Sequence, residues 1–283
     1  MTDTREGKLL NLINASGFLY QLGIETLIRS TEADHGYRII AREHPWRNPE
    51  SNAEGFIDLI IEHGAACLVI ECKRSQDGVW APLVSDPEQG RQHRVLCLWT
   101  HGMGEKANHL AGCNEFNVLP PTEEANFCIV RGTGEGEISL IERLATRLLE
   151  SVDALADEEL KLSRLFHMPR VYIPIILTNA IIEVAYVDPT KVSMETGRLD
   201  QAKFERRDFV RFRKTFATPR ADLGDCRELA DVDSRMERTV ILMNSQYLAK
   251  TLKGFQFAKL NWHERYPWQI EMEKRIDPPE SSI

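Results

Sequence analysis

Acidic residues and a lysine occur within a largely apolar stretch at residues 55–75, GFIDLIIEHGAACLVIECKRS. Asp58 lies in its first apolar run, and Glu71 and Lys73 lie at the end of its second. Carboxylates held together among aliphatic side chains repel one another unless a positive charge lies between them. Mg²⁺ typically binds one or two protein carboxylates, keeps several waters and engages substrate phosphates. These residue types therefore indicate metal-assisted chemistry on a phosphate.

A β-hairpin is the element that would position these side chains. A two-residue turn at residues 64–65, in which Gly64 supplies a positive φ, pairs Asp58 with Glu71. Because side chains alternate along a strand, both acids lie on one face, and Lys73 shares it. The opposite face is predicted to be uniformly apolar and to pack into a core. Its members are Ile57, Leu59, Ile61, Leu68, Ile70 and Cys72.

The same residues have a second interpretation, a solvated Lys–Glu–Asp salt-bridge cluster on an exposed sheet face. Ile60 and Val69 lie between the charged positions on that face, and a helix further along the chain is available to cover it. These features favour a partly desolvated pair of acids. Both interpretations stay open at the level of the sequence.

The surrounding pattern predicts a mixed α/β domain. A helix broken near Gly17 is expected over residues 5–30, and an amphipathic helix over 137–163. Strands are expected at 37–46, 126–132, 171–177, 181–187 and 209–216, followed by a strand-to-helix unit at 238–255. We expect a core at 1–189 interrupted by an irregular insertion at 76–125. Residues 190–283 are expected to form a C-terminal extension packed on that core.

Composition sets broad limits on the class of protein. The chain has 283 residues, a formal net charge of −8 and 42% hydrophobic residues, as in ordinary globular proteins. No apolar run approaches the roughly 20 residues of a membrane span, and the N-terminus lacks an apolar signal core. Six cysteines without a CxxC pair fit reduced thiols in a cytoplasm. His93, Cys97 and His101 are spaced by four, and His109 and Cys113 repeat that spacing. These are zinc-ligand residue types, but their arrangement is not typical of a zinc site.

One local stretch differs from the acidic average. Residues 203–220, KFERRDFVRFRKTFATPR, contain seven Lys or Arg residues against two acids, with phenylalanines between them. We expect this stretch to supply a phosphate-contacting surface for nucleic acid. The candidates are Arg206, Arg207, Arg211, Arg213 and Lys214. The competing interpretation is an amphipathic strand whose charges are only solvated.

Asp58, followed after a short hairpin by Glu71-Cys72-Lys73, resembles the motif of the PD-(D/E)xK nuclease superfamily. The predicted element order over roughly the first 180 residues is also similar to that family. The resemblance implies a restriction-endonuclease-like core of helix, three strands, helix and strand, with 76–125 as an insertion. Ile57 stands where the family name has proline.

The resemblance also implies roles for individual residues. Asp58 and Glu71 would bind Mg²⁺ or Mn²⁺, with the backbone carbonyl of Cys72 as a further ligand. Lys73 would orient or deprotonate the attacking water and stabilise negative charge in the transition state. An acidic residue on the first helix is expected to face the metal. Glu25 is the chemically better ligand, Gln21 the competitor by spacing, and a solvent-facing helical glutamate the alternative.

The function that follows from the resemblance is hydrolysis of phosphodiester bonds, with DNA favoured over RNA, in restriction, repair or anti-phage defence. The alternative is a catalytically silent subunit of the same fold that binds nucleic acid or a protein. A third is an interaction protein whose charged cluster is only a surface array. A partner subunit and a homodimer are both left open, and no membrane association is expected.

Overall fold

A computed structural model of the chain describes residues 4–49, 51–75, 78–85, 94–103, 108–130, 140–162, 169–216 and 226–257. The helices are α1 Arg5–Ala15, α2 Phe18–Ser30, α3 Glu32–His35, α4 Leu140–Lys161, α5 Leu229–Met236 and α6 Leu248–Gly254. The first strands are β1 Arg38–Arg47, β2 Glu54–His63, β3 Ala66–Lys73, β4 Val79–Val84, β5 Arg94–Met103, β6 Asn108–Leu119 and β7 Glu124–Ala125. The remaining strands are β8 Phe127–Val130, β9 Arg170–Thr178, β10 Ile181–Tyr186, β11 Lys203–Arg207, β12 Phe209–Thr215, β13 Glu237–Asn244 and β14 Gln256–Phe257.

The protein has the predicted mixed α/β class. The main sheet has the order β1-β2-β3-β9-β13-β12-β7, and the β5–β6 hairpin joins it through β9. β1, β2 and β3 form an antiparallel meander, whereas β9 runs parallel to β3 and β13 runs parallel to β9. The central strands are therefore parallel, and their carboxyl ends meet at the edge that carries Glu71 and Lys73.

Pro174 lies in the middle of β9, a central strand in which a missing N–H would normally cost a ladder hydrogen bond. The Val171 N–H donates to the Ala65 carbonyl on the β3 side. Because successive N–H groups alternate, the Pro174 nitrogen faces the other side. There β5 pairs with residues 170–172 and β13 pairs with 175–178. The proline therefore occupies the junction between two partner strands, where no regular pair is formed.

Both faces of the main sheet are covered. One apolar cluster contains Ile24 and Ile28 of α2 and Leu248 and Leu252 of α6, packed against residues that include Leu59, Ile61, Leu68 and Ile70. The other contains the buried stripe of α4 packed against residues that include Ile57, Ile60, Cys67 and Val69. The hairpin face that carries the acids is thus not an open, solvated surface, because α4 lies on it.

A second sheet packs on the same side as α4. Its order is β11-β10-β4-β8, with β10 parallel to β4 and the other pairs antiparallel. Its side chains belong to the same apolar cluster as the buried stripe of α4; they include Trp80, Cys128 and Val184. The molecule is therefore layered as helices, main sheet, then α4 with the second sheet.

A buried ionic cluster ties α4 to the main sheet. The Glu159 carboxylate of α4 lies 2.9 Å from Nε of Arg170 and accepts a hydrogen bond from the Tyr172 hydroxyl at 2.6 Å. Arg170 also pairs with Glu62 of β2 at 2.9 Å. Burial raises the pKa of Glu159, and the Arg170 charge and the Tyr172 hydrogen bond oppose that rise.

The predicted helix 5–30 does break at Gly17, and strand β1, the hairpin, β12 and the unit from β13 to α6 are confirmed. The expectation of an irregular segment at 76–125 is wrong. Its described part contains the ten-residue strand β5 and the twelve-residue strand β6. The run RVLCLWT at residues 94–100 does have the pattern of a strand and forms the first part of β5, whereas β6 was not predicted.

Residues 190–283 do not form only an extension packed on the core, because two of their strands belong to the main sheet. β12 and β13 belong to residues 190–283, yet they lie in the main sheet beside β9. The division at residue 189 stays a prediction about folding units, but the sheet is continuous across it. His93 and the residues after 257 lie outside the described part of the chain. Within the described part, no helix combines the length and apolar character needed to cross a membrane.

Candidate active site

The predicted hairpin register is confirmed. Leu59 pairs with Ile70, and the register continues to His63 opposite Ala66 at the turn. Gly64 has φ of 58°, the left-handed conformation that glycine adopts without strain. The regular pairing ends after Leu59 and Ile70, so Asp58 and Glu71 come immediately beyond the last paired residues.

Beyond the last paired residues, the Asp58 side chain accepts the hydrogen bond that a main-chain carbonyl would accept in a regular ladder. Oδ2 of Asp58 accepts a hydrogen bond of 2.6 Å from the N–H of Cys72. The predicted apolar face needs one correction here. Ile57 packs in the α4 cluster and not with Leu59. The alternation of side chains is therefore interrupted at Asp58, where the carboxylate has taken the place of a main-chain acceptor.

Asp58 is a half-buried carboxyl whose pKa is raised to about 6. Burial is the main cause, and the charge of Glu43 adds to it. The hydrogen bond from Cys72 and the charges of Arg147 and Lys73 act in the opposite direction without cancelling the rise.

The pKa of Glu71 is raised further, to about 7. Burial is the main cause, and the charge of Asp58 is the second. Arg147 and Lys73 lower this pKa in part. Among the described residues, no hydrogen-bond donor or ion-pair partner contacts the Glu71 carboxylate. Two neighbouring carboxyls thus share a partly desolvated site, and one of them has no direct partner in the described part of the chain.

Lys73 lies two residues beyond Glu71 on β3 and acts electrostatically on both acids. Within the described ranges its ammonium group forms no ion pair of 4 Å or less. The Cys72 side chain lies on the other face of the sheet, where it packs against the apolar cluster that contains Ile24 and Ile28 of α2. Burial and the neighbouring acids raise the pKa of the Cys72 thiol well above its ordinary value.

Glu43 of β1 is a site residue that the sequence did not single out. Arg42 pairs with Leu59 and His44 with Ile57, so Glu43 stands opposite Asp58. Its φ is 48°, a conformation uncommon for a residue other than glycine. An arginine-glutamate-histidine run in a strand carries no signal of that conformation, which explains why Glu43 was missed.

Gln21 of α2 links Glu43 to Asp58. Its Nε2 donates to Oε1 of Glu43 at 2.5 Å and lies 3.3 Å from the main-chain carbonyl of Asp58. Glu25, one turn further along α2, is buried and directs its carboxylate to Arg42 at 3.4 Å and Arg29 at 3.9 Å. Of the two helical candidates, Gln21 is the one that contacts the Asp58 segment. Glu25 is held by arginines.

Arg147 of α4 also approaches the two acids and was not identified from the sequence. It lies outside the apolar stripe of its helix, as does the neighbouring Arg143, and only the packing of α4 distinguishes them. Its Nη2 is 3.5 Å from the Glu54 carbonyl, and its charge lowers the pKa of both Asp58 and Glu71.

The described part of the basic stretch, residues 203–216, does not form one surface. Arg211 is only 2% exposed and donates to main-chain carbonyls and to Glu124. Arg213 pairs with Glu115 and Glu237. Arg207 pairs with Glu123 and Lys214 with Glu142. Arg206 is exposed, whereas its four companions already have carboxylate partners. The prediction that this stretch contacts phosphates is untested, and the ion pairs argue against it.

The described ligands fit a hard divalent cation only as a site of two carboxylates completed by waters. Among the residues that the structure describes, no three His, Cys, Asp or Glu side chains form a group that could hold a metal ion. Asp58 and Glu71 supply two carboxylates, and the raised pKa of each gives a physical reason for a cation to bind between them. Mg²⁺ accepts such a site because it retains waters as further ligands.

Comparison with known proteins adds no family to this geometry. The sequence matches no family model and no curated protein, and the fold matches no solved structure.

Proposed function

We propose that the chain is a Mg²⁺- or Mn²⁺-dependent nuclease that hydrolyses phosphodiester bonds, with DNA favoured as the substrate. The observation that carries this proposal is the pair Asp58 and Glu71. Both are half-buried with raised pKa values, and Glu71 has no ion-pair partner among the described residues. A structural salt bridge would lower these pKa values, whereas a site prepared for a cation leaves the acids uncompensated.

The order of elements supports a restriction-endonuclease-like core. The N-terminal helices are followed by the three antiparallel strands β1, β2 and β3. After the intervening strands β4 to β8 come α4 and then β9, which is parallel to β3. The acids lie where β2 and β3 cease to pair, at the carboxyl end of the parallel strands. Ligands bind at this end of open α/β sheets because loops and side chains converge there.

Each residue has a separate part in the proposed reaction. Asp58 and Glu71, with the Cys72 carbonyl, would hold the cation, which supplies Lewis-acid stabilisation of the phosphate when bound. The Lys73 ammonium group orients the attacking water and stabilises the charge that develops on the phosphoryl oxygens. The water oxygen forms a bond to phosphorus, the bond to the leaving ester oxygen breaks, and that oxygen acquires a proton. Gln21 fixes the relative position of Glu43 and the Asp58 main chain.

Cleavage assays test the proposal directly. Plasmid and single-stranded DNA are incubated with the protein in Mg²⁺, in Mn²⁺ and in EDTA. We expect cleavage with either metal and none in EDTA. Lys73→Ala is expected to lower the rate by roughly 10²-fold or more, since it removes a group that acts in the transition state.

Lys253→Ala is the matched control, because it removes an exposed lysine at the end of α6. It should cleave at the wild-type rate. Cleavage that persists in EDTA, or that Lys73→Ala leaves unchanged, would contradict the proposed site.

A silent nucleic-acid- or protein-binding subunit is the second candidate. It is favoured by the ion pairs of the basic stretch and by the lack of a third acidic ligand in the described part of the chain. This candidate predicts binding of DNA or of a partner without any metal-dependent cleavage.

A further inference from the structure

Arg147 combines three features that favour a role at the candidate site. The first is its path across β2. A Cβ atom placed on Gly55 would lie 2.5 Å from Nη2 of Arg147 and 3.3 Å from its Cζ. Any residue larger than glycine would therefore displace the guanidinium. Gly55 lets the group lie directly on the strand, three residues before Asp58.

The second feature is its position. α4 packs on the hairpin face that carries Asp58 and Glu71, against residues that include Ile60 and Val69. From this helix Arg147 reaches β2 at Glu54 and Gly55, shortly before Asp58 in the strand. The guanidinium therefore lies on the same side of the sheet as the acidic pair, although it belongs to a different element.

The third feature is its unused hydrogen-bonding capacity. Within the described ranges, Arg147 has no carboxylate at ion-pair distance and donates one long hydrogen bond, 3.5 Å, to the Glu54 carbonyl. Arg207, Arg211 and Arg213 are by contrast each engaged by glutamates. An arginine has five N–H donors in a planar fork that matches the oxygens of a phosphate.

We propose that Arg147 binds a non-bridging oxygen of the substrate phosphate and holds the substrate against the Asp58–Glu71 pair. This inference rests on the proposed function. It names the substrate contact of the same site, a phosphate anion bound from the α4 side. The acids attract a cation and the guanidinium attracts an anion, so the site recognises both charges of a metal–phosphodiester complex.

A purely structural role for Arg147 would be to neutralise the two acids. That role predicts effects on stability and on metal affinity, but none that depends on the charge of a particular substrate phosphate. The two roles are separated by substrates in which one phosphate is replaced by a neutral methylphosphonate. If Arg147 contacts that phosphate directly, the loss of affinity in the protein variant and the loss caused by the methylphosphonate are not additive. Without a direct contact, the two losses add.

The experiment uses the full chain and fluorescein-labelled 20-mer DNA, single-stranded and duplex, with a single methylphosphonate moved through the sequence. Binding is followed by anisotropy in Ca²⁺ and in EDTA, and cleavage in Mg²⁺. We expect Arg147→Ala to weaken binding of the unmodified DNA on the order of tenfold, as for one charge-assisted hydrogen bond. One methylphosphonate position should weaken wild-type binding similarly and leave Arg147→Ala unaffected.

Three further variants sharpen the test. Arg147→Lys should retain only part of the affinity, because an ammonium group cannot make the paired contact. Gly55→Ala should reproduce the loss by displacing the guanidinium. Arg198→Ala removes the same charge from an exposed turn between β10 and β11 and should bind as wild type. Melting temperatures of all variants establish that each is folded.

The outcomes separate the inference from the function on which it rests. Binding that depends on Arg147 and on one phosphate, without cleavage in any metal, supports the contact and refutes the nuclease. Cleavage by the wild type with an Arg147→Ala variant that binds like Arg198→Ala overturns the contact and leaves the nuclease standing. Failure of the wild type to bind any of these substrates overturns both.

Discussion

The acidic pair makes the stability of the protein depend on pH in a direction opposite to that of a salt bridge. Glu71 has a pKa of about 7 in the folded protein, against an ordinary 4.5, because burial and Asp58 disfavour its charged form. Between these values the folded state binds more protons than the unfolded state. The free energy of unfolding therefore falls as the pH rises from about 4.5 to above 7, and Asp58 adds to this fall at slightly lower pH.

Glu71→Gln removes this contribution. We expect the variant to be more stable than wild type at pH 8 in EDTA, by on the order of 2 kcal/mol, and about equal at pH 4. Urea denaturation across this range measures the effect. Mg²⁺ should raise the melting temperature of wild type, since it binds the folded state, and leave that of the variant unchanged. The exposed Glu195→Gln serves as control, and a pH slope equal to wild type in Glu71→Gln would refute the assignment.

At the scale of elements, the hairpin turn fixes which acids meet. Gly64 is the residue with positive φ in this turn, and no atom lies within 4 Å of the position that a Cβ would take. A substitution there consequently costs conformational energy alone, without a steric clash.

Gly64→Ala should lower the free energy of unfolding by about 1 kcal/mol, because the left-handed region is unfavourable for alanine. Gly64→Asn should cost less, since asparagine enters that region more readily. Both are measured by thermal or urea unfolding. Equal losses for the two variants would mean that the turn adopts another conformation in solution.

The hairpin could be predicted because its turn residue, its alternation and its apolar runs all indicate the same register. Asp58, Glu71 and Lys73 were found for that reason. Gln21 of α2 was identified from the sequence by its spacing, as the competitor of Glu25. Glu43 and Arg147 reach the candidate site from β1 and α4, and their approach depends on contacts between elements far apart in the chain. A single sequence holds no local signal for such contacts. The ion pairs of the basic stretch could not be predicted for the same reason, since the acidic partners lie on β6, at and just before β7, on β13 and on α4.

At the scale of the whole molecule, the Glu159–Arg170 cluster joins α4 to the sheet. α4 covers the acidic pair and carries Arg147, so the geometry of the site depends on this attachment. Removing Glu159 takes from Arg170 one of its two carboxylate partners and from the Tyr172 hydroxyl its carboxylate acceptor. Breaking a buried pair in this way costs more than the cluster itself contributes.

Glu159→Ala should therefore destabilise the protein by about 3 kcal/mol. Glu158→Ala is the neighbouring control. Its carboxylate is half exposed and pairs with His44 at 2.9 Å, so its loss should cost less than about 1 kcal/mol. Chemical denaturation gives both values. Similar values for the two variants would show that the cluster does not anchor α4.

The class of the fold was predictable at this scale, and its strand order was not. The pattern gave helices, strands and their sequence along the chain, but a parallel pairing such as β3 with β9 joins residues about a hundred positions apart. The placement of β12 and β13 beside β9 is of the same kind. Long-range pairing is decided by the fit of whole faces, which periodicity does not encode.

Pro174 has a consequence for how β9 pairs with its neighbours. It divides one side of β9 into two pairing positions, one for β5 and one for β13. The other side of β9 pairs with β3 without interruption, from Val171 to Thr178. The proline therefore lies where one partner strand is exchanged for another, and the strand that carries Glu71 keeps a continuous register past that exchange.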